Sequence, residues 1–494
     1  MADSAPVSVS SITTLTHKTI RGTIWTYLSF YGGKLMVFAS TIILARLLTK
    51  EDFGVAGYAA TIIIFLDVLA DLGVGPALIF HRDLPEIANT AFWLGLVLGV
   101  SIFGLTWVAA PLAGAFFNDN RAIPVIRVLT IGLPIYALCN VHDKLLQRDL
   151  AFGRKFIPEF VKAISKGVIS IGLALTGFGA WSLVIGQVGA NVFTVIAYWL
   201  VLPWRPSLRF ARDTSRYLLS YGLKLVSGNF LSVIVENIDY LFVGRYLGAA
   251  ALGIYTLAFR LPELLVMQFC GIVSRVIFPV YASLRDDRVA FGRGFLLTTR
   301  YVALVTIPLG LGLTLIAEPL VLTLFTEKWI EAIPVIRGIS MYTLFLSLAY
   351  NAGDVYKAQG RPEVLTQMAF LQGAILIPAL WWAVTGMGTI VAVGWTHAVI
   401  AFIVGIIQLA VALRMLKTSL MQLVEALRPA VVSGLLMAMA VLAMLQVSVS
   451  MPNWVQLITG TMIGGLVYLG ALWILHRDIL FEAVRTLRSA LRKR

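Results

Sequence analysis

Runs of about 20 mostly apolar residues follow one another from one end of this chain to the other, and a helix of that length crosses the hydrocarbon of a bilayer. Fourteen can be marked, near 23–47, 54–80, 91–115, 122–142, 157–176, 180–203, 217–247, 252–281, 299–325, 333–356, 364–385, 388–413, 429–449 and 454–475, each closed by charge, Gly or Pro. In lipid every backbone polar group must be satisfied within the segment, so such runs fold as helices. Composition agrees. Of 494 residues 59% are hydrophobic and 13% charged, whereas soluble chains run to roughly 45–50% and 25%. The expected class is all-α, a polytopic membrane protein of about 14 transmembrane helices.

Short cytoplasmic loops retain Lys and Arg. With the N-terminus inside, the inner segments hold 26 of the 39 basic residues and the outer ones 5 (Arg46, Lys50, Arg121, Arg245 and Lys328), with 8 inside spans. One missed helix would scramble that alternation, so the split supports the count and places both termini in the cytoplasm. It also accounts for the net charge of +14. The basic residues lie in juxtamembrane loops without aromatic interleaving, so membrane lipid is the expected partner and nucleic acid is not. The tail 476–494 sets Leu480, Val484, Leu487 and Leu491 on one helical face and Arg485, Arg488 and Arg492 elsewhere, the pattern of an interfacial amphipathic helix. The first 20 residues are polar and Ser/Thr-rich, so no signal peptide is expected there. Cys139 and Cys270 lie in apolar runs without metal-ligand spacing and read as buried free thiols. No metal or cofactor is expected.

The chain also repeats itself. AIPVIR occupies Ala122 to Arg127 and again Ala332 to Arg337, an offset of 210. Tyr27-Leu28, Tyr31-Gly32 and Lys34-Leu35 recur as Tyr217-Leu218, Tyr221-Gly222 and Lys224-Leu225, and Arg46, Leu48 and Gly54 match Arg245, Leu247 and Gly253. The expected organisation is a cytoplasmic segment 1–21, a six-helix bundle 22–205, a linker 206–216, a second six-helix bundle 217–414 and a linker 415–428. Two additional helices at 429–475 and the tail 476–494 complete it. Six spans per repeat make the repeats parallel, and folds of that kind place a substrate path at the repeat interface.

An ionisable side chain within a span is costly unless it faces protein or water, so each is a candidate for function. Lys34 and Lys224 are repeat-equivalent; with Arg260, Arg275, Arg127 and Arg337 they form the candidate substrate-binding cations. Asp67, Asp71 (one turn on, same face), Glu236, Asp239 and Glu263 are candidates for ion coupling or pairing. A structural ion pair such as Lys34 with Asp67 competes with these roles, and for Arg127 and Arg337 the structural reading is preferred. Lys162 and Lys166, near the cytoplasmic end of span five, suit lipid headgroups. His397, lone in mid-span, reads as a hydrogen-bonded packing residue rather than a titrating one.

Several longer motifs carry a resemblance. LARLLTKEDFG (Leu44 to Gly54), LLQRDLAFGRKF (Leu145 to Phe156), NIDYLFVGRYLGAAALGIYTLAFRL (Asn237 to Leu261), FPVYASLRDD (Phe278 to Asp287) and FTEKWIEAIPVIR (Phe325 to Arg337) resemble the polysaccharide-transporter family. That is the Wzx-type flippase branch of the multidrug/oligosaccharidyl-lipid/polysaccharide exporter superfamily, and the resemblance covers nearly the whole chain. It implies a fourteen-helix, two-bundle flippase that carries an undecaprenyl-diphosphate-linked oligosaccharide to the periplasmic leaflet of a bacterial inner membrane for exopolysaccharide or lipopolysaccharide assembly. Two six-helix bundles are an architecture for alternating access, and a proton or sodium gradient acting through Asp67, Asp71, Glu236 or Asp239 is the expected drive. A monomer is expected, working beside a polysaccharide polymerase and export machinery. Two alternatives stand beside it. A multidrug or small-molecule exporter of the same superfamily would favour a lumen of acids and aromatics. A membrane-embedded polymerase or glycosyltransferase would keep catalytic residues on long outer loops, which this chain lacks.

Overall fold

The computed structural model describes residues 32–71, 85–149, 151–475 and 477, all in helices, turns or irregular segments, without a strand among them. The first helix is described over 32–47 (α1). It is followed by α2 (Lys50–Asp71), α3 (Pro85–Phe117), α4 (Ala122–Thr130), α5 (Gly132–Arg148), α6 (Phe152–Leu175), α7 (Ala180–Val201), α8 (Arg212–Tyr246) and α9 (Gly248–Pro262). Then come α10 (Gln268–Ser283), α11 (Arg288–Leu315), α12 (Ala317–Leu324), α13 (Ala332–Tyr350), α14 (Ala352–Ala358), α15 (Glu363–Trp382), α16 (Ile390–Leu416), α17 (Leu420–Val447) and α18 (Asn453–Leu475). Segment 1–21, the start of the first marked span, the outer end of the second and all of the tail 476–494 but Arg477 lie outside the described residues. So do the side chains of Asp71 and Lys224.

Among the described residues, eleven helical stretches are long and apolar enough to cross a membrane by length and composition. They fall on eleven of the fourteen marked spans. The other three coincide with α1, α6 and α8. The first is described only from residue 32. The other two are the most charged: α6 carries Arg154, Lys155, Glu159, Lys162 and Lys166, and α8 carries Lys224, Glu236 and Asp239. The outer surfaces are apolar, with Leu105 at 72% exposure, Val108 at 77% and Leu466 at 68%, a burden in water and none in lipid.

The chain divides into two units, Met1–Asn237 with Gly248–Ala250, and Ile238–Leu247 with Ala251–Arg494. The division falls inside α8 rather than in the linker 206–216, because Leu218 on the first turns of α8 is buried with Ile87, Phe92, Val141 and Leu145 of the first unit. The second unit has its own cores. Tyr281, Phe291, Phe295, Tyr356 and Leu413 form one. The last two helices join this unit through Met437, Val441, Tyr468 and Leu472, packed on Leu304 and Leu311, and the Tyr468 hydroxyl donates to Leu304 O at 2.7 Å.

Close approach relies on small residues, as helix contacts in lipid require. A Cβ at Gly338 of α13 would lie 2.9 Å from the Gly394 carbonyl carbon of α16. The structure also exposes repeat marks that the sequence reading did not use. α6 ends in TGFG (176–179) and α15 runs into TGMG (385–388), an offset of 209. Gly177 and Gly179 of the first take φ of +83° and +54°, and Gly388 of the second +64°, values that favour glycine. In the first turn Asp52 Oδ1 accepts from Ala180 N at 2.9 Å and caps α7.

Candidate functional site

α8 and α9 meet at Leu247–Gly248, where Gly248 turns the chain with φ +82°. That reversal brings Tyr255 back against Asp239. The Tyr255 hydroxyl donates to Asp239 Oδ2 at 2.6 Å, and His397 Nε2, from α16, lies 3.4 Å from the same oxygen. Asp239 is wholly buried and His397 is 3% exposed. Rings close the surroundings: Tyr342 lies 5.0 Å from the His397 ring and Phe259 6.4 Å, while Tyr240 packs edge-on against Tyr255. Among the described residues, Asp239 Oδ1 and both ring nitrogens of His397 have no hydrogen-bond partner.

The chemistry of that arrangement follows from desolvation. A lone charge in a low-dielectric cage is expensive, and a paired one is tolerable. The cage is therefore stable either as carboxylate with imidazolium or as carboxylic acid with neutral imidazole, and unstable with one charge alone. The two arrangements differ by where one proton sits, with unsatisfied atoms beside them. His397, read from the sequence as a packing residue lone in its span, thus lies against Asp239.

The first unit buries a different network. Asp143 of α5, 4% exposed, accepts from the Tyr198 hydroxyl at 2.7 Å. Lys155 Nζ approaches it to 2.6 Å and Lys144 Nζ to 3.9 Å. The same Tyr198 hydroxyl reaches Glu159 at 3.4 Å. Asp354 in the second unit, 3% exposed, pairs with Lys357 at 3.7 Å. The sequence reading passed over both aspartates. The signal was present, since Asn140-x-x-Asp143 recurs as Asn351-x-x-Asp354 at an offset of 211.

The candidates named from sequence are scattered. Arg127 donates Nε to the Trp107 carbonyl at 3.1 Å and stacks 5.1 Å over its ring. Arg337 Nη2 lies 3.6 Å from Glu318. Each AIPVIR arginine thus ties its helix to the segment before it. Arg260 is exposed on the last turn of α9 and Arg275 on α10. Glu263 is half-buried in a π turn, Glu263–Met267, that follows Pro262. Glu236 is exposed one turn before Asp239; Asp67 is exposed on α2 and Lys34 half-buried on α1.

This polytopic helical protein buries polar and charged networks in its bundles, and its fold is one seen in solved transporters. It is similar to the lipid II flippase MurJ in an inward closed conformation, with TM-score 0.75, 15% identity, 92% of this chain and 100% of that one covered. It is also similar to an inward-facing multidrug resistance transporter of the MATE family, at TM-score 0.62 and 16% identity over 78% of this chain and 96% of that one. Residues 43–334 match the polysaccharide biosynthesis protein family, and the chain belongs to that family. Its relatives include the teichuronic acid biosynthesis protein TuaB of Bacillus subtilis, 28% identical over 79% of this chain and 81% of that protein. The succinoglycan biosynthesis transport protein ExoT of Rhizobium meliloti is 26% identical over 94% and 95%. The lipopolysaccharide biosynthesis protein WzxC of Escherichia coli is 24% identical over 74% and 75%. Kinship with named transport proteins agrees with the expectation of a transporter rather than an enzyme.

Proposed function

We propose that this protein is a flippase that moves an undecaprenyl-diphosphate-linked oligosaccharide from the cytoplasmic to the periplasmic leaflet of a bacterial inner membrane, for exopolysaccharide or lipopolysaccharide assembly. The similarity to ExoT along nearly the whole of both chains carries this reading. The sugar and diphosphate need a polar route while the polyprenyl tail stays in lipid, and cations carried within the spans suit the anionic head. Alternating access is driven by a proton taken up and released at Asp239 and His397. The glycan is handed to a polymerase and export machinery on the far side. The multidrug alternative draws on the MATE-like fold alone.

The test is transport into inverted inner-membrane vesicles. Vesicles holding the protein should carry a fluorescent polyprenyl-diphosphate oligosaccharide into the lumen, out of reach of an added glycosidase. Vesicles from a deletion strain should leave it exposed. Equal protection in both would end the flippase reading.

A further inference from the structure

Lys155, Glu159, Lys162 and Lys166 of α6 are spaced 4, 3 and 4 residues apart and share one helix face. Across from that face, in the same unit, α5 presents Tyr136 and Asp143. Asp143 is already engaged, with Lys155 Nζ at 2.6 Å and the Tyr198 hydroxyl at 2.7 Å, and Glu159 takes the other reach of that hydroxyl. Lys162 is differently placed. Its Nζ sits over the Tyr136 ring, 5.1 Å from the centroid, and no carboxylate among the described residues comes within ion-pair distance of it. Half-buried and five residues into the marked span 157–176, it lies about 8 Å inside that span, where an anionic partner offsets the cost of the charge.

The fold does not demand this cation. Aligning the TGFG and TGMG turns sets Lys155, Glu159, Lys162 and Lys166 against Val364, Met368, Leu371 and Ile375, and α15 has neither Lys nor Arg. One repeat builds the same helix with apolar residues at these four positions. The charged strip is thus particular to the first repeat, and its Lys155 and Glu159 are engaged with Asp143 and Tyr198.

We infer that Lys162 anchors a lipid-phosphate site on the α5–α6 face of the first unit, and that its ligand is the diphosphate of the lipid-linked glycan. This rests on the flippase reading and adds to it a phosphate station outside the cations named above. An ammonium is a compact point charge suited to phosphate, and the Tyr136 face holds it in place without neutralising it. An ordinary phospholipid offers the same phosphate chemistry, so the test separates the two sources.

The full-length protein in phosphatidylcholine nanodiscs is titrated with undecaprenyl diphosphate in one arm and phosphatidylglycerol in the other, with occupancy read by native mass spectrometry. Lys162→Gln should weaken undecaprenyl diphosphate about tenfold, as expected for one lost charge-assisted contact, Lys162→Arg should keep most of the affinity, and phosphatidylglycerol should not respond. Unchanged binding in Lys162→Gln overturns the site. A matching loss for phosphatidylglycerol assigns the cation to bulk lipid and overturns the ligand. If Lys162→Gln fails to fold, Tyr136→Leu, which removes the ring beneath the ammonium, reads the same site, and unaltered affinity there is equally fatal. Vesicle transport by the unmutated protein is followed in parallel. Transport with a Lys162-independent affinity sinks the site and leaves the flippase, whereas Lys162-dependent binding without transport does the reverse.

Discussion

At the residue scale, the pair Asp239 and His397 makes an asymmetric prediction. Replacing His397 by Gln leaves a wholly buried carboxylate that keeps its tyrosine hydroxyl but loses the imidazole, and stranding one member of a buried pair costs about 3–5 kcal/mol unless the survivor takes up a proton. Asp239→Asn leaves an imidazole that can stay neutral, so it should cost much less. Both variants should lose acceleration of transport by an imposed pH gradient. Thermal unfolding in detergent and vesicle transport with and without the gradient check the two halves separately. Equal stability loss in both, with gradient response intact, would mean the pair only packs. The sequence offered Asp239 as an ionisable residue in a span and His397 as an isolated one. They stand 158 positions apart (397 less 239), and no local pattern links residues on α8 and α16, so the pairing had to wait for the tertiary contact.

At the element scale, helices cross where side chains are absent. Gly338 and Gly394 let α13 and α16 touch backbone to backbone, and α16 carries His397 three residues beyond Gly394. Gly338→Leu forces a branched side chain into peptide atoms that cannot move aside, a cost of about 1–3 kcal/mol or more. It should lower the unfolding temperature in detergent and blunt transport as α16 shifts. Gly465→Leu on α18, where a Cβ meets nothing within 4 Å, should do neither; similar melting curves for both would refute the close-contact account. The apolar runs marked nearly all the helices because length and hydropathy are local properties. They did not mark the breaks between α4 and α5, or the π turn after Pro262, because those leave the hydropathy of a run unchanged.

At the scale of the whole molecule, the internal duplication organises the chain. The turn glycines Gly177 and Gly386 occupy matching TGxG segments, so reporter fusions there should report the same side of the membrane, the periplasmic one under a cytoplasmic N-terminus. A cytoplasmic signal at either position would break the span count. The sequence by itself determined that the chain is a duplicated helical membrane protein, and its motifs carried the family, because hydrophobic runs, basic loops and repeated words are all written along one dimension. Only the tertiary structure decided which charges are engaged. It tied Arg127 to Trp107 and Arg337 to Glu318, joined Asp239 to His397, and left Lys162 over a ring rather than against an acid. The energy of a buried charge is set by the partner it meets across the bundle, and that partner lies on another helix.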